Sequence, residues 1–283
     1  MPLSDIECEA GPEASSSEAP PLIGILGGMG PLAAVDLMQK LIAETAAPRD
    51  QLQIPVVCWN VPQIPDRQRA LAGDGMSPLA AMQAGVAVLN AAGATRIVIA
   101  CNTAHFWFDA LAAASRAPLI HIVDATIASL AMLQEQGGSL PSTVGLLATQ
   151  GTLDADLYQS RLARLGISCL IPSRADMTQL FTPGCYAVKQ GRMEEGAALL
   201  TQAAHHLAHR GAEKLLLACT EVPLALADAA PALQAIAIDP TRALAQACVR
   251  YWRSSQAFAD LAGIGPGHPV QPISLRADGT RRP

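Results

Sequence analysis

The chain alternates short apolar runs with longer segments in which apolar residues recur every three or four positions. Short runs between glycine or proline residues are typical of buried strands, and the longer spacing is typical of helices. This alternation favours an α/β protein with mainly parallel sheets. The predicted strands include residues 22–26, 54–59, 118–123, 167–171 and 235–239, and the predicted helices include residues 79–92, 103–114, 153–165, 175–191, 193–210 and 241–252.

One stretch of the chain occurs twice. Residues 93–103 return as residues 211–221, each copy with a leading glycine, an aliphatic middle and a cysteine, Cys101 or Cys219, near its end. Each copy predicts a glycine turn, a buried strand and a thiol where the strand ends. The duplication predicts two similar α/β domains, each with a mainly parallel sheet flanked by helices, related by pseudo-twofold symmetry.

The position of these two cysteines favours a chemical role. Open parallel sheets bind ligands at the carboxyl ends of their strands, where the next helix offers unpaired N–H groups and a thiol loses its proton more easily. A single free cysteine more often packs in a core, but two in the same local context favour a functional pair. Facing each other across a cleft, one thiolate would remove a weakly acidic α-proton while the other thiol returns one to the opposite face.

Composition excludes several classes of partner. The chain has 283 residues, 51% of them hydrophobic, and a net charge of −5, without a long basic run for nucleic acid or an anionic membrane. No apolar run is long enough to span a bilayer. Seven scattered cysteines fit reduced thiols, so we expect a soluble cytoplasmic protein with small molecules as partners. We expect residues 1–20 to form a disordered N-terminal arm and residues 258–283 a poorly ordered C-terminal tail.

A glycine-rich loop with Gly28, Met29 and Gly30 follows the first strand. The pattern Gly28-x-Gly30-x-x-Ala33 formally matches a dinucleotide fingerprint, but that interpretation also needs an acid at the end of the second strand, which ends in Asn60. The glycines would equally bring backbone N–H groups up to a carboxylate. We therefore favour a carboxylate ligand over a nicotinamide cofactor.

Two cations are candidates for holding that carboxylate. Arg67 follows a proline-rich loop and would offer two parallel hydrogen bonds, although an arginine taken alone is more often an ordinary surface residue. Lys189 lies near a predicted helix end, where a lysine commonly complements the helix dipole. Both functional interpretations depend on where the fold places these side chains.

The histidines do not form a recognisable metal site. His105 lies one turn after Cys101, but a metal needs more than two ligands and none are grouped here, so a positioning or packing role is favoured. His205, His206 and His209 share one helix without a nearby acid or cysteine, and we expect them to be solvated. We therefore expect no metal and no other cofactor.

An ordered set of motifs between residues 22 and 252 resembles the aspartate racemase branch of the cofactor-independent aspartate/glutamate racemase superfamily. The motifs are Gly24-Ile25-Leu26-Gly27-Gly28-Met29-Gly30-Pro31-Leu32-Ala33, Pro62-Gln63-Ile64-Pro65-Asp66-Arg67, Cys101-Asn102-Thr103-Ala104-His105, Leu147-Ala148-Thr149, Tyr186-x-x-Lys189, Cys219-Thr220-Glu221 and Asp239-Pro240.

The resemblance implies that Cys101 and Cys219 are the acid and the base, and that Arg67 and Lys189 hold the carboxylates of aspartate. It implies a lining around the amino-acid backbone made of Met29, Asn102, Thr103, Ala104 and Thr220, and we count Gly28, Gly30 and Glu221 as supporting residues. It also implies a homodimer and a last helix that returns to the first domain. We therefore expect domain 1 at residues 21–118 plus 233–257 and domain 2 at residues 119–232.

Departures from related branches narrow the predicted activity. In the glutamate racemase branch the first loop carries an Asp-Ser-Gly pattern and a histidine stands where this chain has Glu221, so glutamate is disfavoured as substrate. Arylmalonate decarboxylases keep one of the two thiols, whereas this chain has both. The favoured function is a PLP-independent racemase that interconverts L- and D-aspartate. A racemase of broader or different specificity and a non-catalytic sensor that binds a dicarboxylate stay open as alternatives.

Overall fold

The structure is a computed structural model that describes residues 20–135 and 137–263. Within these residues the chain forms two four-stranded sheets, and every pair of neighbouring strands is parallel. The strands are β1 (Ile23–Gly27), β2 (Val56–Asn60), β3 (Arg96–Ile99), β4 (Leu119–Ile120), β5 (Thr143–Leu146), β6 (Ser168–Leu170), β7 (Lys214–Leu216) and β8 (Ala237–Ile238). The orders β2-β1-β3-β4 and β6-β5-β7-β8 are equivalent. The prediction of two similar parallel α/β units is therefore confirmed.

Helices flank both sheets. The helices of the described residues are α1 (Pro31–Thr45), α2 (Arg67–Ala72), α3 (Leu79–Ala91), α4 (Phe108–Ala113), α5 (Ile122–Glu135), α6 (Gln150–Asp154), α7 (Gln159–Ala163), α8 (Arg174–Asp176), α9 (Thr182–Lys189), α10 (Met193–His209), α11 (Glu221–Ala225), α12 (Pro231–Ile236), α13 (Pro240–Arg253) and α14 (Gln256–Ala262). A 3₁₀ segment (Thr103–Trp107) precedes α4, and a π-helical turn (Met177–Phe181) joins α8 to α9.

Strand register brings the candidate residues to one edge of each sheet. Leu26 of β1 lies opposite Ile99 of β3, so the glycine loop after β1 and Cys101 after β3 share an edge. Strand β5 pairs with β7 in the same way, which places Thr149 and Cys219 at the corresponding edge of the second sheet. The fold thus gathers loops that are far apart in sequence at the carboxyl ends of the strands, where α/β proteins bind ligands.

The last long helix crosses back to the first sheet. Helix α13 packs against α1 and α5, because its buried face carries apolar residues such as Leu244 and Trp252. The indole Nε1 of Trp252 donates to the carbonyl of Leu52 at 3.1 Å, and Arg253 donates to the carbonyl of Thr45 at 2.8 Å. Helix α13 thus contacts helices of both predicted domains, and its return to the first domain stays a prediction together with the domain boundaries.

Some predicted elements were wrong in extent. The strand predicted at 235–239 is only β8, because residues 235 and 236 complete helix α12, which begins at Pro231, a residue suited to the first helical turn. The predicted strand at 118–123 stops at Ile120, because His121 Nδ1 accepts the N–H of Val123 at 3.1 Å and helix α5 begins at Ile122. The predicted helix at 153–165 is two short helices, α6 and α7, because Asp156 between them has a left-handed backbone with φ 50°.

The predicted tails lie largely outside the described residues. Residues 1–19 and 264–283 are not described, so the disorder expected there stays a prediction. The predicted C-terminal tail began at residue 258, and this start was wrong, since residues 258–262 complete helix α14. In the described part of the chain, no helix combines the length and apolar character needed to cross a bilayer.

Candidate active site

A small cavity lies where the carboxyl ends of the two sheets meet. Its volume of about 10 Å³ holds about one water molecule, so the cleft must widen before an amino acid enters. The residues expected from the sequence that line it are Met29, Arg67, Cys101, Asn102, Thr103, Lys189, Cys219, Thr220 and Glu221. Asp66, Gln68 and Thr149 complete the lining. The two cysteines therefore contribute to one site from two different sheets.

Cys101 follows strand β3 and is buried. His105 fixes the backbone around it, since its Nδ1–H donates to the Cys101 carbonyl at 2.8 Å while its Nε2 accepts the N–H of Ile122 at 3.1 Å. Burial and the neighbouring His121 lower the pKa of His105 to about 3, so this imidazole is neutral. The geometry agrees with the positioning role expected for His105.

Cys219 follows strand β7, and its sulfur has one carboxylate neighbour and one sulfur neighbour. Its thiol donates to Oε2 of Glu221 at 3.0 Å, and its Sγ lies 3.7 Å from the Sγ of Cys185. The Cys185 sulfur, burial and the Glu221 carboxylate together raise the pKa of Cys219 well above that of an ordinary thiol. Cys219 is therefore a protonated thiol at neutral pH.

Glu221 links the second cysteine to the first glycine loop. Its buried carboxylate accepts the Gly30 N–H at 3.4 Å and the Thr220 hydroxyl at 3.3 Å, and it lies 3.8 Å from Nζ of Lys189. Burial by itself would lower the pKa of Lys189, but the Glu221 carboxylate raises it above its usual value. Lys189 therefore stays a cation inside the site.

Arg67 is buried at the start of helix α2 rather than exposed on a loop. Its Nη1 donates to the carbonyls of Ile64 at 3.1 Å and Pro65 at 2.9 Å. Among the described residues, its buried Nε has no hydrogen-bond partner. Burying an unsatisfied donor costs about 1–3 kcal/mol or more, which a carboxylate bound at this side of the guanidinium would offset.

Two hydroxyl groups of the second half of the chain lie close to Thr103, two residues after Cys101. The Oγ1 of Thr103 lies 2.9 Å from that of Thr149 and 3.2 Å from that of Thr152. The carboxamide Oδ1 of Asn102 accepts the phenol of Tyr158 at 2.5 Å. The second sheet thus supplies polar partners to residues that follow β3.

The remaining predicted residues support the site without lining the cavity. Gly28 has φ 92°, and an added Cβ would lie 2.1 Å from the carbonyl oxygen of Val61, so a side chain is excluded here by close backbone approach. The Gly30 N–H meets the carboxylate of Glu221, a protein group, whereas the sequence suggested a ligand carboxylate. Ala104 is fully buried in the apolar cluster beside Cys101.

His205, His206 and His209 were expected to have no acid nearby, and this was wrong for His206. His206 lies 2.7 Å from Oδ1 of Asp176, an acid that the fold brings from helix α8. Across residues 20–135 and 137–263, no group of three or more His, Cys, Asp or Glu side chains is arranged to hold a metal ion.

Comparison with known proteins bears directly on this arrangement. Residues 26–248, most of the chain, match the family described as Asp/Glu/hydantoin racemase. The chain belongs to the Asp/Glu/hydantoin racemase family. The resemblance seen in the motifs is therefore confirmed.

Individual known proteins are similar to this racemase family member to different extents. The structure of an aspartate racemase of Picrophilus torridus is 30% identical, covers 82% of this chain and 94% of its own, and superposes with a TM-score of 0.70. The broad-specificity amino-acid racemase RacX of Bacillus subtilis is 24% identical over 71% of this chain and 86% of its own length. An uncharacterised protein of Pectobacterium carotovorum is 36% identical over 42% of this chain and 75% of its own.

Sequence reasoning missed Tyr158, Cys185 and Thr152. Tyr158 lies between α6 and α7, inside the segment that periodicity predicted as one helix, so no signal marked it. Cys185 was one of several unassigned cysteines on an apolar background. Thr152 falls one turn after Thr149, and that spacing on a helix start was the single available signal.

Proposed function

We propose that this protein interconverts L- and D-aspartate by acid/base catalysis with Cys101 and Cys219 and without a cofactor. The observation that carries the proposal is that both thiols line one cavity although they follow strands of different sheets. Two thiols on opposite faces of a bound amino acid meet the stereochemical requirement of racemisation. In each direction one sulfur takes the α-proton as thiolate, and the other gives its proton to the opposite face of the carbanion.

The unequal surroundings of the thiols support a division of labour. Cys219 is held as a thiol by its raised pKa, so in this form it is the proton donor and Cys101 is the base. By the family resemblance, that form turns D-aspartate into L-aspartate. For the reverse reaction Cys219 must lose its proton, and Oε2 of Glu221 at 3.0 Å is placed to accept it.

The cations favour a dicarboxylic substrate. Arg67 offers an unpartnered Nε within the described residues, and Lys189 stays charged because the Glu221 carboxylate raises its pKa against the effect of burial. A charged hydrogen bond to a carboxylate contributes about 1.5–3 kcal/mol. A buried arginine and a partly buried lysine at one small cavity therefore favour aspartate over a neutral amino acid.

A racemase of broader specificity is the second candidate. The observation that favours it is the similarity over 71% of this chain to RacX, whose name describes broad specificity. A non-catalytic dicarboxylate sensor is the third, and neither thiol is required for it. A homodimer and a cytoplasmic location are further expectations, and light scattering of the purified chain would test the first of them.

The deciding experiment compares wild type with Cys101→Ala and Cys219→Ala on each enantiomer of aspartate. Chiral chromatography would follow racemisation, and proton NMR in D₂O would follow α-proton exchange. We expect wild type to racemise aspartate and both variants to lose racemisation. Cys169→Ala is the matched control, because Cys169 lies half-buried in β6 and does not line the cavity.

Other outcomes of this experiment would exclude the two-base mechanism or support one of the alternative functions. Near wild-type racemisation by either folded cysteine variant would exclude the two-base mechanism. Wild-type activity on several neutral amino acids, with aspartate no better than these, would support the second candidate. Aspartate binding without racemisation, unchanged in both cysteine variants, would support the sensor.

A further inference from the structure

Tyr158 reaches the site from the second sheet without lining the cavity. Its side chain is fully buried, and its phenol donates to Oδ1 of Asn102 at 2.5 Å. Asn102 follows Cys101 directly and lines the cavity. A residue of one half of the molecule thus holds a side chain of the other half beside the reacting sulfur.

This contact decides which end of the Asn102 amide is available. Its Oδ1 is occupied by Tyr158, and its Nδ2 is buried without a hydrogen-bond partner in the part of the chain that the structure describes. An unpaired buried amide donor costs about 1–3 kcal/mol. With the oxygen occupied, Asn102 presents N–H donors to whatever enters the cavity, and a carboxylate oxygen is the matching partner.

The local backbone and the environment make Tyr158 a fixed donor. Asp156, two residues earlier, takes a left-handed conformation with φ 50°, which breaks the helix and turns Tyr158 into the interior. Burial raises the pKa of Tyr158 far above that of an ordinary phenol, so its hydroxyl keeps its proton. A protonated phenol facing Asn102 favours the amide oxygen on its side.

We propose that Tyr158 is a positioning residue that orients the Asn102 amide so that Nδ2 donates to the α-carboxylate of the substrate. We assign the α-carboxylate rather than the side-chain carboxylate, because Asn102 directly follows Cys101. In the proposed reaction the Cys101 sulfur exchanges a proton with Cα, and the α-carboxylate is bonded to that carbon. A rotated amide would place Oδ1 in the cavity and repel the same carboxylate. This inference rests on the proposed racemase function and adds to it a determinant of substrate binding.

The test is a double-mutant cycle on Tyr158→Phe and Asn102→Ala, with Asn102→Ser as the substitute if Asn102→Ala does not fold. Tyr158→Phe keeps the ring and removes the hydroxyl. We expect it to raise KM for both enantiomers of aspartate by about tenfold, which corresponds to about 1.4 kcal/mol, with kcat changed less than about threefold. In the Asn102→Ala background we expect Tyr158→Phe to have no further effect on KM, because its target is gone.

Tyr251→Phe is the matched control. Tyr251 lies on α13 under the guanidinium of Arg96, 4.3 Å from the ring centre, and does not line the cavity. Additive effects of the two substitutions on KM would overturn the proposal. A roughly tenfold loss of kcat in Tyr158→Phe with KM unchanged would also overturn it. So would a KM increase in Tyr251→Phe as large as that in Tyr158→Phe.

A binding measurement separates this inference from the proposed function. Titration calorimetry of L-aspartate into Cys101→Ala, with and without Tyr158→Phe, gives Kd where turnover is blocked. A roughly tenfold weaker Kd with Tyr158→Phe supports the positioning role even if wild type fails to racemise aspartate. An unchanged Kd overturns the positioning role even if wild type is an active racemase.

Discussion

The thiol of Cys219 lies 3.0 Å from Oε2 of Glu221 and donates a hydrogen bond to it. In the duplicated stretch the position of Glu221 corresponds to Thr103, whose neighbours are the hydroxyls of Thr149 and Thr152. The two sulfurs are therefore equivalent by topology but not by surroundings, since the second one faces a carboxylate at a position where the first copy of the stretch has a threonine. The Cys185 sulfur and burial, together with this carboxylate, raise the pKa of Cys219.

Glu221→Gln should make Cys219 easier to deprotonate. The Glu221 carboxylate is among the causes that raise the pKa of Cys219, after the Cys185 sulfur and burial, and glutamine removes its charge at nearly constant volume. We expect the pH midpoint for alkylation of Cys219 by iodoacetamide to fall in Glu221→Gln. Peptide mass spectrometry over a pH series would report Cys219 alone. A midpoint that stays in place or rises would show that the carboxylate does not control this thiol.

Arg67→Leu should act mainly on dicarboxylic substrates. Loss of a charged hydrogen bond of about 1.5–3 kcal/mol predicts a roughly ten- to hundredfold lower kcat/KM for aspartate. Any neutral amino acid that the enzyme accepts should be affected much less, and Arg67→Lys should restore activity in part because ammonium lacks the planar fork of guanidinium. Steady-state kinetics on aspartate and alanine would measure these effects. Equal losses on both substrates would instead assign Arg67 to the α-carboxylate or to the fold.

The protein should lose stability as the pH falls below about 6.5. Burial and His121 lower the pKa of His105 to about 3, whereas an unfolded histidine titrates near 6.5. Between these values the unfolded chain binds more protons, so the stabilisation is complete above about pH 6.5 and is lost on acidification. One such group contributes at most about 1.4 kcal/mol per pH unit. His121, whose pKa burial lowers to about 4, acts in the same direction.

Urea unfolding at pH 7 and pH 5 would test this dependence. We expect the free energy of unfolding of wild type to decrease by about 2 kcal/mol or more over this range, and His105→Gln to reduce that decrease. His205→Gln is the control, because His205 is exposed on α10. An identical pH dependence in wild type and His105→Gln would contradict the prediction.

Racemisation should survive removal of metals and of carbonyl cofactors. Dialysis against a chelator and then treatment with a carbonyl reagent should leave activity near its starting value, since proton transfer between two sulfurs and Cα needs neither group. Racemisation assays before and after treatment would decide. Recovery of lost activity on addition of PLP or a divalent metal would refute cofactor independence.

The sequence by itself was sufficient to predict two similar parallel α/β units and a cysteine after an equivalent strand in each. Short apolar runs and glycine turns are local signals, and the repeat of residues 93–103 at 211–221 predicts that Cys101 and Cys219 follow equivalent strands. Parallel pairing then brings each cysteine to the carboxyl edge of its sheet. The motif around Arg67 likewise marked a cation that the fold places in the cavity lining.

Only the tertiary structure showed which side chains contact Cys219 and Asn102 and where two of the predicted elements end. The contacts of Cys219 with Cys185 and of Asn102 with Tyr158 join residues 34 and 56 positions apart, and no local periodicity encodes which distant side chains meet in the fold. The early end of β4 and the break at Asp156 depend on a side-chain cap and one left-handed residue, which override the apolar pattern. Local pattern therefore determined where the two thiols lie along the chain, whereas long-range packing determined the neighbours that raise the pKa of Cys219.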